Sequence, residues 1–173
     1  TIPGQPNNTM VAFYLTAADG STPSAESLFP NNAPKRECLF RTGEVQPSSA
    51  IGSYRLWVTK ATLNRWSTRG RQSNHPLDCS FAYNDFRVIY NARTLYSGSP
   101  WHTPNYNGGP AGEPPTDYVF RAPSDDLLLG AEDFVFGTVG NTDNDPSKVA
   151  EQTSYWIARK LGVPYNYRRF FFM

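Results

Sequence analysis

The clearest pattern in the chain is a short-range alternation of apolar and polar residues. Alternation with a period of two is typical of half-buried β-strands. It is strongest over residues 10–17, where Val11, Phe13 and Leu15 share one face. The same criterion predicts further strands at 36–42, 54–59, 77–83, 86–91, 93–96, 117–121, 133–139 and 167–173. Asn84, between two of these strands, tolerates the positive φ of a hairpin turn.

Two segments have helical patterning instead. Residues 60–68 follow Thr59, a residue type that caps helix N-termini. The main helix is predicted over about 145–161, with Asp145 as its cap and Gly162 just past its end. Its apolar positions, which predict a buried stripe, are Val149, Thr153, Trp156, Ile157 and Leu161.

Turn-forming residues divide the rest of the chain. With 15 Pro and 13 Gly, long helices have little room, so short strands joined by loops are favoured. Residues 19–35 have the composition of a loop, and residues 97–115 form a long loop without periodicity. These features predict an α+β fold that is β-rich, with a mainly antiparallel sheet, one main helix and one long loop.

Charge and hydropathy exclude two classes of partner. The formal net charge is +1, which gives no electrostatic surface for nucleic acid. No run of apolar residues approaches the length of a membrane span. The chain begins with Thr1 rather than Met, which we interpret as processing or excision upstream.

Three segments together resemble the CotH kinase-like family, particularly the forms found in very large exported bacterial proteins. They are RVIYNARTLYSGSPWH (87–102), DYVFRAPSDDLLLG (117–130) and AEQTSYWIARKLGVPYNYRR (150–169). The resemblance implies an extracellular, periplasmic or cell-surface location. It also implies that 1–50 is the end of a β-sandwich-like module and that 51–173 is a β-rich segment with a packed helix, together forming one unit.

The same resemblance implies an atypical kinase fold of which this chain has only the N-terminal lobe. The acidic metal-binding residues of that family lie further along than this sequence extends. Where its active members have lysines, this chain has Thr116, Asp117 and Arg121. Glu151 then has no lysine to pair with. Because phosphoryl transfer needs both a nucleotide cradle and metal carboxylates, we do not expect kinase activity.

Four groups of residues are candidate sites. Trp101, His102, Asn105 and Tyr106 combine rings and amides in the long loop, as a carbohydrate site does. Asn141, Asp143 and Asp145 offer the oxygen ligands that calcium prefers, although Asp145 is better explained as a helix cap. Cys38 and Cys79 predict either a disulfide or two buried thiols. Phe170, Phe171 and Phe172 end the chain as an apolar strand that needs a partner.

We therefore expect a non-catalytic structural or interaction module that meets a protein partner, or a second copy of itself, through the C-terminal strand. Apart from calcium, no cofactor is predicted. Two alternatives come from other classes. One is an enzyme, either a kinase-like fragment or a small hydrolase using Ser99 and His102 in residues 97–106. The other is a carbohydrate-binding module.

Overall fold

The computed structural model describes residues 2–45, 50–68, 73–84, 86–96, 118–137, 147 and 149–172. Within these ranges the first strands are β1 (Met10–Phe13), β2 (Leu15–Ala18), β3 (Glu26–Phe29), β4 (Cys38–Arg41) and β5 (Gly52–Trp57). Helix α1 (Lys60–Thr68) follows. The remaining elements are β6 (Leu77–Tyr83), β7 (Arg87–Tyr96), β8 (Tyr118–Arg121), β9 (Asp133–Phe136), α2 (Ala150–Lys160) and β10 (Phe171–Phe172). The α+β, β-rich fold class is confirmed.

A six-stranded sheet forms the body of the fold, in the order β10-β5-β6-β7-β8-β9. Strands β5 to β9 are antiparallel neighbours in chain order, and β10 pairs in parallel with β5. This sheet curls around a core of aromatic rings. The buried members of that core are Tyr54, Cys79, Phe81, Ile89, Ala92, Phe120, Ala122, Leu128 and Phe136.

Helix α1 packs beside this core. The side chain of Thr59 accepts a hydrogen bond from the backbone N–H of Thr62 at 3.0 Å, so the predicted cap is confirmed. Trp66 is fully buried and packs with Leu77, and its ring meets that of Tyr118 edge-on at 5.7 Å. The helix therefore adds an aromatic contact next to strands β6 and β8.

A two-stranded ribbon of β1 and β4 packs on the opposite face of the sheet. Leu39 of β4 contacts Trp57 and Ala82, and its backbone N–H donates to the hydroxyl of Ser80 at 2.9 Å. Because side chains alternate along a strand, Ser80 and Ala82 face the ribbon while Phe81 faces the aromatic core. These contacts cross the predicted boundary at residue 50, and the division into 1–50 and 51–173 stays a prediction.

The N-terminal strand differs from its prediction. The alternation over 10–17 predicts one strand, but the structure has two, β1 and β2, separated by Tyr14. Strand β2 pairs with β3, which lies in the segment predicted as a loop. All residues of β2 and β3 are exposed. A strand without a buried face has no alternation to detect, which is why β3 escapes a pattern-based prediction.

Strand β7 is continuous where two strands were predicted, and Asn91 explains the difference. Its φ is +58°, and β7 contains one extra residue there relative to β6. Phe81 pairs with Ile89, and Cys79 pairs with Ala92. Such an extra residue is a β-bulge. It interrupts the alternation of side chains and places both Ile89 and Ala92 in the aromatic core.

The C-terminal strand pairs within the chain's own sheet. Phe171 lies opposite Gly52 and Phe172 opposite Ser53. The strand therefore does not need an external strand on that side, which removes one reason for predicting an interface there. Phe170 is 37% exposed. The interface through Phe170–Phe172 stays a prediction, with less support than the sequence alone gives it.

Candidate functional site

Helix α2 is shorter than its prediction. It begins after Val149, whose side chain provides no capping hydrogen bond. It ends in a Schellman motif, since Gly162 N–H donates to Arg159 O at 3.3 Å and Val163 N–H to Ala158 O at 3.0 Å. Gly162 has φ +71°, which confirms its predicted place just past the helix. The predicted cap Asp145 lies outside the described residues.

One side of α2 is covered by the segment that follows it. The guanidinium of Arg168 pairs with Glu151 and lies 5.1 Å from the centre of the Tyr155 ring. Asn166 donates to the Tyr155 hydroxyl at 3.4 Å. Tyr155 is accordingly half-buried. The chain turns back at Gly162 and lies along this side of the helix.

The other side of α2 is open. Val149 is 44% exposed, Trp156 58%, Ile157 46% and Leu161 72%. With Thr153 and Lys160 they form what we call the α2 stripe, because these residues recur at helical spacing along one side. No described residue of α2 is buried. The prediction that the stripe is buried within the chain is wrong. The segment that follows Gly162 covers the Tyr155 side of the helix instead.

A second surface lies between the ribbon and the sheet. It is an open groove of about 440 Å³. Phe40, Trp57, Ala82, Val88 and Tyr90 give it apolar walls. Charged and polar groups also line it, namely Arg41, Glu44, Arg55, Asn84 and Arg87, together with the ring of Phe86. We call this surface the ribbon groove.

Arginines dominate the polar lining of the ribbon groove. Glu44 accepts contacts from Arg55 at 3.0 Å and Arg41 at 3.4 Å. The guanidinium of Arg55 also lies 5.6 Å from the centre of the Trp57 ring. Arg87 pairs with Asp126 at 2.5 Å and donates to Leu127 O at 2.8 Å. In the part of the groove that the structure describes, three guanidinium groups therefore share two carboxylates.

An ion pair joins the segment just before β4 to the sheet. Asp78 of β6 contacts Arg36 at 2.8 Å and Arg93 at 2.6 Å, and Arg36 also donates to Asn91 O at 3.2 Å. Burial lowers the pKa of Arg36, while the charge of Asp78 opposes that shift. The side chain of Arg36 is only 10% exposed, so Asp78 supplies the charge that allows a guanidinium there.

The two cysteines are free, buried thiols, so the predicted disulfide is absent. The pleat of β6 explains this. Ser80 points toward β4, where Cys38 lies, whereas Cys79 belongs to the aromatic core on the opposite face. Burial raises the pKa of Cys38 to about 11 and raises that of Cys79 as well. Both thiols are therefore protonated at neutral pH, which suits a packing role.

The other predicted sites lie outside the described residues. These are the proposed carbohydrate residues Trp101, His102, Asn105 and Tyr106, and the proposed calcium ligands Asn141, Asp143 and Asp145. Both predictions stand untested.

In the described ranges, no group of three or more His, Cys, Asp or Glu side chains is placed to hold a metal ion. Neither helix, as far as the structure describes them, has the length and apolar composition needed to cross a bilayer.

The ribbon groove could not be predicted from the sequence because its arginines come from separate strands. One signal was available: Arg55 and Arg87 are charged residues inside segments predicted as strands. A charge at such a position marks either a solvent-facing site or a paired one, and the pattern alone does not show which strands meet.

Comparisons with known proteins identify no relative: no protein-family model, no curated protein and no solved structure matches this chain. The resemblance to the CotH kinase-like family therefore stays a prediction.

Proposed function

We propose that this chain is a non-catalytic interaction module that associates with a second copy of itself through the α2 stripe. The observation that carries the proposal is the open side of α2, where Trp156 and Leu161 are 58% and 72% exposed. A contiguous apolar surface of this kind typically marks an interaction site in a folded protein. Its position on a regular helix favours helix-to-helix packing.

The stripe is self-complementary in an antiparallel arrangement. A two-fold axis that crosses the stripe at the level of residue 155 would bring Val149 opposite Leu161 of the second copy. It would also bring Thr153 opposite Ile157. Each end of the pair would then contain two apolar side chains, and Trp156 would lie near the middle. Contacts repeated in both directions are what a two-fold symmetric interface requires.

Electrostatics favour the same arrangement. The one charged residue of the stripe is Lys160, whose ammonium lies 5.6 Å from the centre of its own Trp156 ring. In the antiparallel pair the two Lys160 residues would be about 15 Å apart along the helix axis, beyond the Debye length at physiological salt. Antiparallel helix dipoles also attract each other. Among the residues of the stripe itself, self-association therefore brings no close pair of like charges together.

The size of the surface sets the expected strength. Helix α2 has 11 residues and is about 16 Å long, so two copies would cover less than the roughly 800 Å² per partner of a standard stable interface. We therefore expect a reversible dimer with a Kd of about 10 µM or weaker. Such an affinity suits a module whose copies are brought together in a larger assembly.

A cross-linking experiment tests the proposed register. The double variant Val149→Cys with Leu161→Cys places thiols at opposite positions of the antiparallel pair, so mild oxidation should give covalent dimers. Cys38 and Cys79 are buried and interfere little. Val45→Cys, at a site 90% exposed and remote in sequence, is the matched control and should cross-link far less. Equal cross-linking of control and double variant would overturn the register.

A charge-insertion variant tests the surface itself. Ile157→Glu adds a carboxylate to the stripe at a side chain that is already 46% exposed, so folding should be preserved. The light-scattering mass at high concentration should fall to that of the monomer. Val45→Glu, the control, should behave as the unaltered chain does. An oligomer unaffected by Ile157→Glu would exclude the α2 stripe as its interface.

A further inference from the structure

The ribbon groove is a second surface, independent of α2, with the composition of a small-ligand site. Its volume of about 440 Å³ lies within the usual range for such sites. Apolar walls with a few polar groups that converge on them are the common design of ligand pockets. We propose that the ribbon groove binds an acidic saccharide, with the carboxylate of a uronic acid residue held by Arg41.

The charge of the groove favours an anion. Among the residues that the structure describes, its lining includes Arg41, Arg55 and Arg87 and one carboxylate, Glu44. Asp126, which is not among the lining residues, neutralises part of the positive charge of Arg87. Counted over the described residues alone, these three guanidinium groups exceed the two carboxylates by one positive charge. A bound carboxylate would restore the balance, and a guanidinium can contact both of its oxygens at once.

Arg41 is the arginine best placed to receive that carboxylate. Arg55 is 17% exposed and is occupied by Glu44, by Asn84 O at 2.5 Å and by the Trp57 ring. Arg41 is 40% exposed, and its ion pair with Glu44 is the longest in the groove at 3.4 Å. Its guanidinium could therefore turn from Glu44 to a ligand at little electrostatic cost, because Arg55 keeps Glu44 paired.

The mixture of groups favours a saccharide over an acidic peptide. Sugar hydroxyls both donate and accept, and the groove offers guanidinium donors at Arg41 and Arg87 beside a carboxylate acceptor at Glu44. A sugar ring also has an apolar face that packs on an aromatic ring. Phe86 supplies that ring, since it lines the groove, is 71% exposed and meets the ring of Tyr83 edge-on at 5.3 Å. An acidic peptide needs arginines but not the neighbouring Glu44.

The test is a calorimetric or NMR titration of the full chain with digalacturonate. Neutral galactobiose serves as the uncharged match, and triglutamate represents the acidic peptide. We expect digalacturonate to bind at least tenfold more tightly than either. Absence of digalacturonate binding at millimolar concentration would overturn the proposal. So would galactobiose binding as well as digalacturonate, or triglutamate binding as tightly or more tightly.

Two variants locate the binding. Arg41→Gln and Phe86→Ala both change exposed side chains, and each should weaken digalacturonate binding by tenfold or more. Arg121→Gln is the matched control, because Arg121 is also an exposed arginine paired with a carboxylate but lies outside the groove lining. Unchanged affinity in both groove variants, or equal loss in Arg121→Gln, would show that the ligand is not held in the ribbon groove.

Discussion

The ring of Tyr54 on β5 lies 5.7 Å from the ring of Phe136 on β9, although three strands separate them in the sheet. In a flat sheet four strand spacings would hold these positions about 19 Å apart. The contact is made because the sheet curls, which brings its distant strands together around the aromatic core. Phe136 also stacks on Phe81 at 5.4 Å and on Phe120 at 5.8 Å. It therefore joins β9 to three other strands at once.

Replacing Phe136 tests this account of the curl. Phe136→Ala should lower the free energy of unfolding by about 3–5 kcal/mol, because it leaves a cavity among rings that cannot easily move inward. Val135→Ala is the matched control, since Val135 is the neighbouring residue on the same strand and is 63% exposed. It should change stability by about 0.5 kcal/mol or less. Urea denaturation measures both, and equal effects would contradict a core role for Phe136.

Asp78 tests the attachment of the ribbon to the sheet. Asp78→Ala should destabilise the fold by about 2–3 kcal/mol, because it leaves the mostly buried Arg36 and its neighbour Arg93 without their carboxylate. Asp133→Ala removes an exposed pair, in which Arg121 lies 2.9 Å away, and should cost less than about 1 kcal/mol. Thermal and urea unfolding compare the two. A loss at Asp133 as large as that at Asp78 would contradict the argument from burial.

Cys38 gives a pH dependence with a definite sign. Its pKa is raised from 9.0 to about 11 in the folded chain because the thiol is buried. The unfolded state therefore ionises first as the pH rises. The contribution of the protonated Cys38 thiol to the free energy of unfolding is fully present below pH 9 and is lost between about pH 9 and pH 11.

Comparison with Cys38→Ala isolates this contribution. Other buried groups also titrate at high pH, including Tyr118, whose pKa burial raises to about 12. The variant keeps those groups, so its stability should fall less steeply over the same pH range. Urea midpoints measured at intervals between pH 8 and pH 11 provide the readout. Parallel curves for the two proteins would mean that the thiol is not buried as described.

Gly162 tests the end of α2. Its φ of +71° strains any residue with a Cβ, although there is open space around it. Gly162→Ala should therefore destabilise the helix end by about 1 kcal/mol. Gly20→Ala, also in open space but without a positive φ, is the control and should be nearly neutral. Circular dichroism during thermal unfolding distinguishes them.

Local patterns predicted the parts of the fold that local physics decides. The strand over 77–83 and the N-cap at Thr59 depend on neighbouring residues, and both are confirmed. Gly162 marked a helix end because only glycine adopts its φ without strain. These features need no knowledge of what packs against them.

Other parts depend on which elements meet. The stripe of α2 predicted a buried face, yet the chain folds Arg168 onto Tyr155 and leaves Trp156 open. Counting cysteines suggested a disulfide, but the pleat of β6 turns Cys79 away from β4. The ribbon groove requires Arg41 of β4 and Arg87 of β7 to meet across a packing interface. None of these follows from spacing along the sequence.

The central claim is that the α2 stripe associates with a second copy of the chain, and sedimentation equilibrium over a wide concentration range tests it most directly. We expect the weight-average mass to rise from 19.4 kDa at about 1 µM toward twice that value at about 1 mM. The rise should be absent in Ile157→Glu. A mass that stays at 19.4 kDa for the unaltered chain over the whole range would contradict the account.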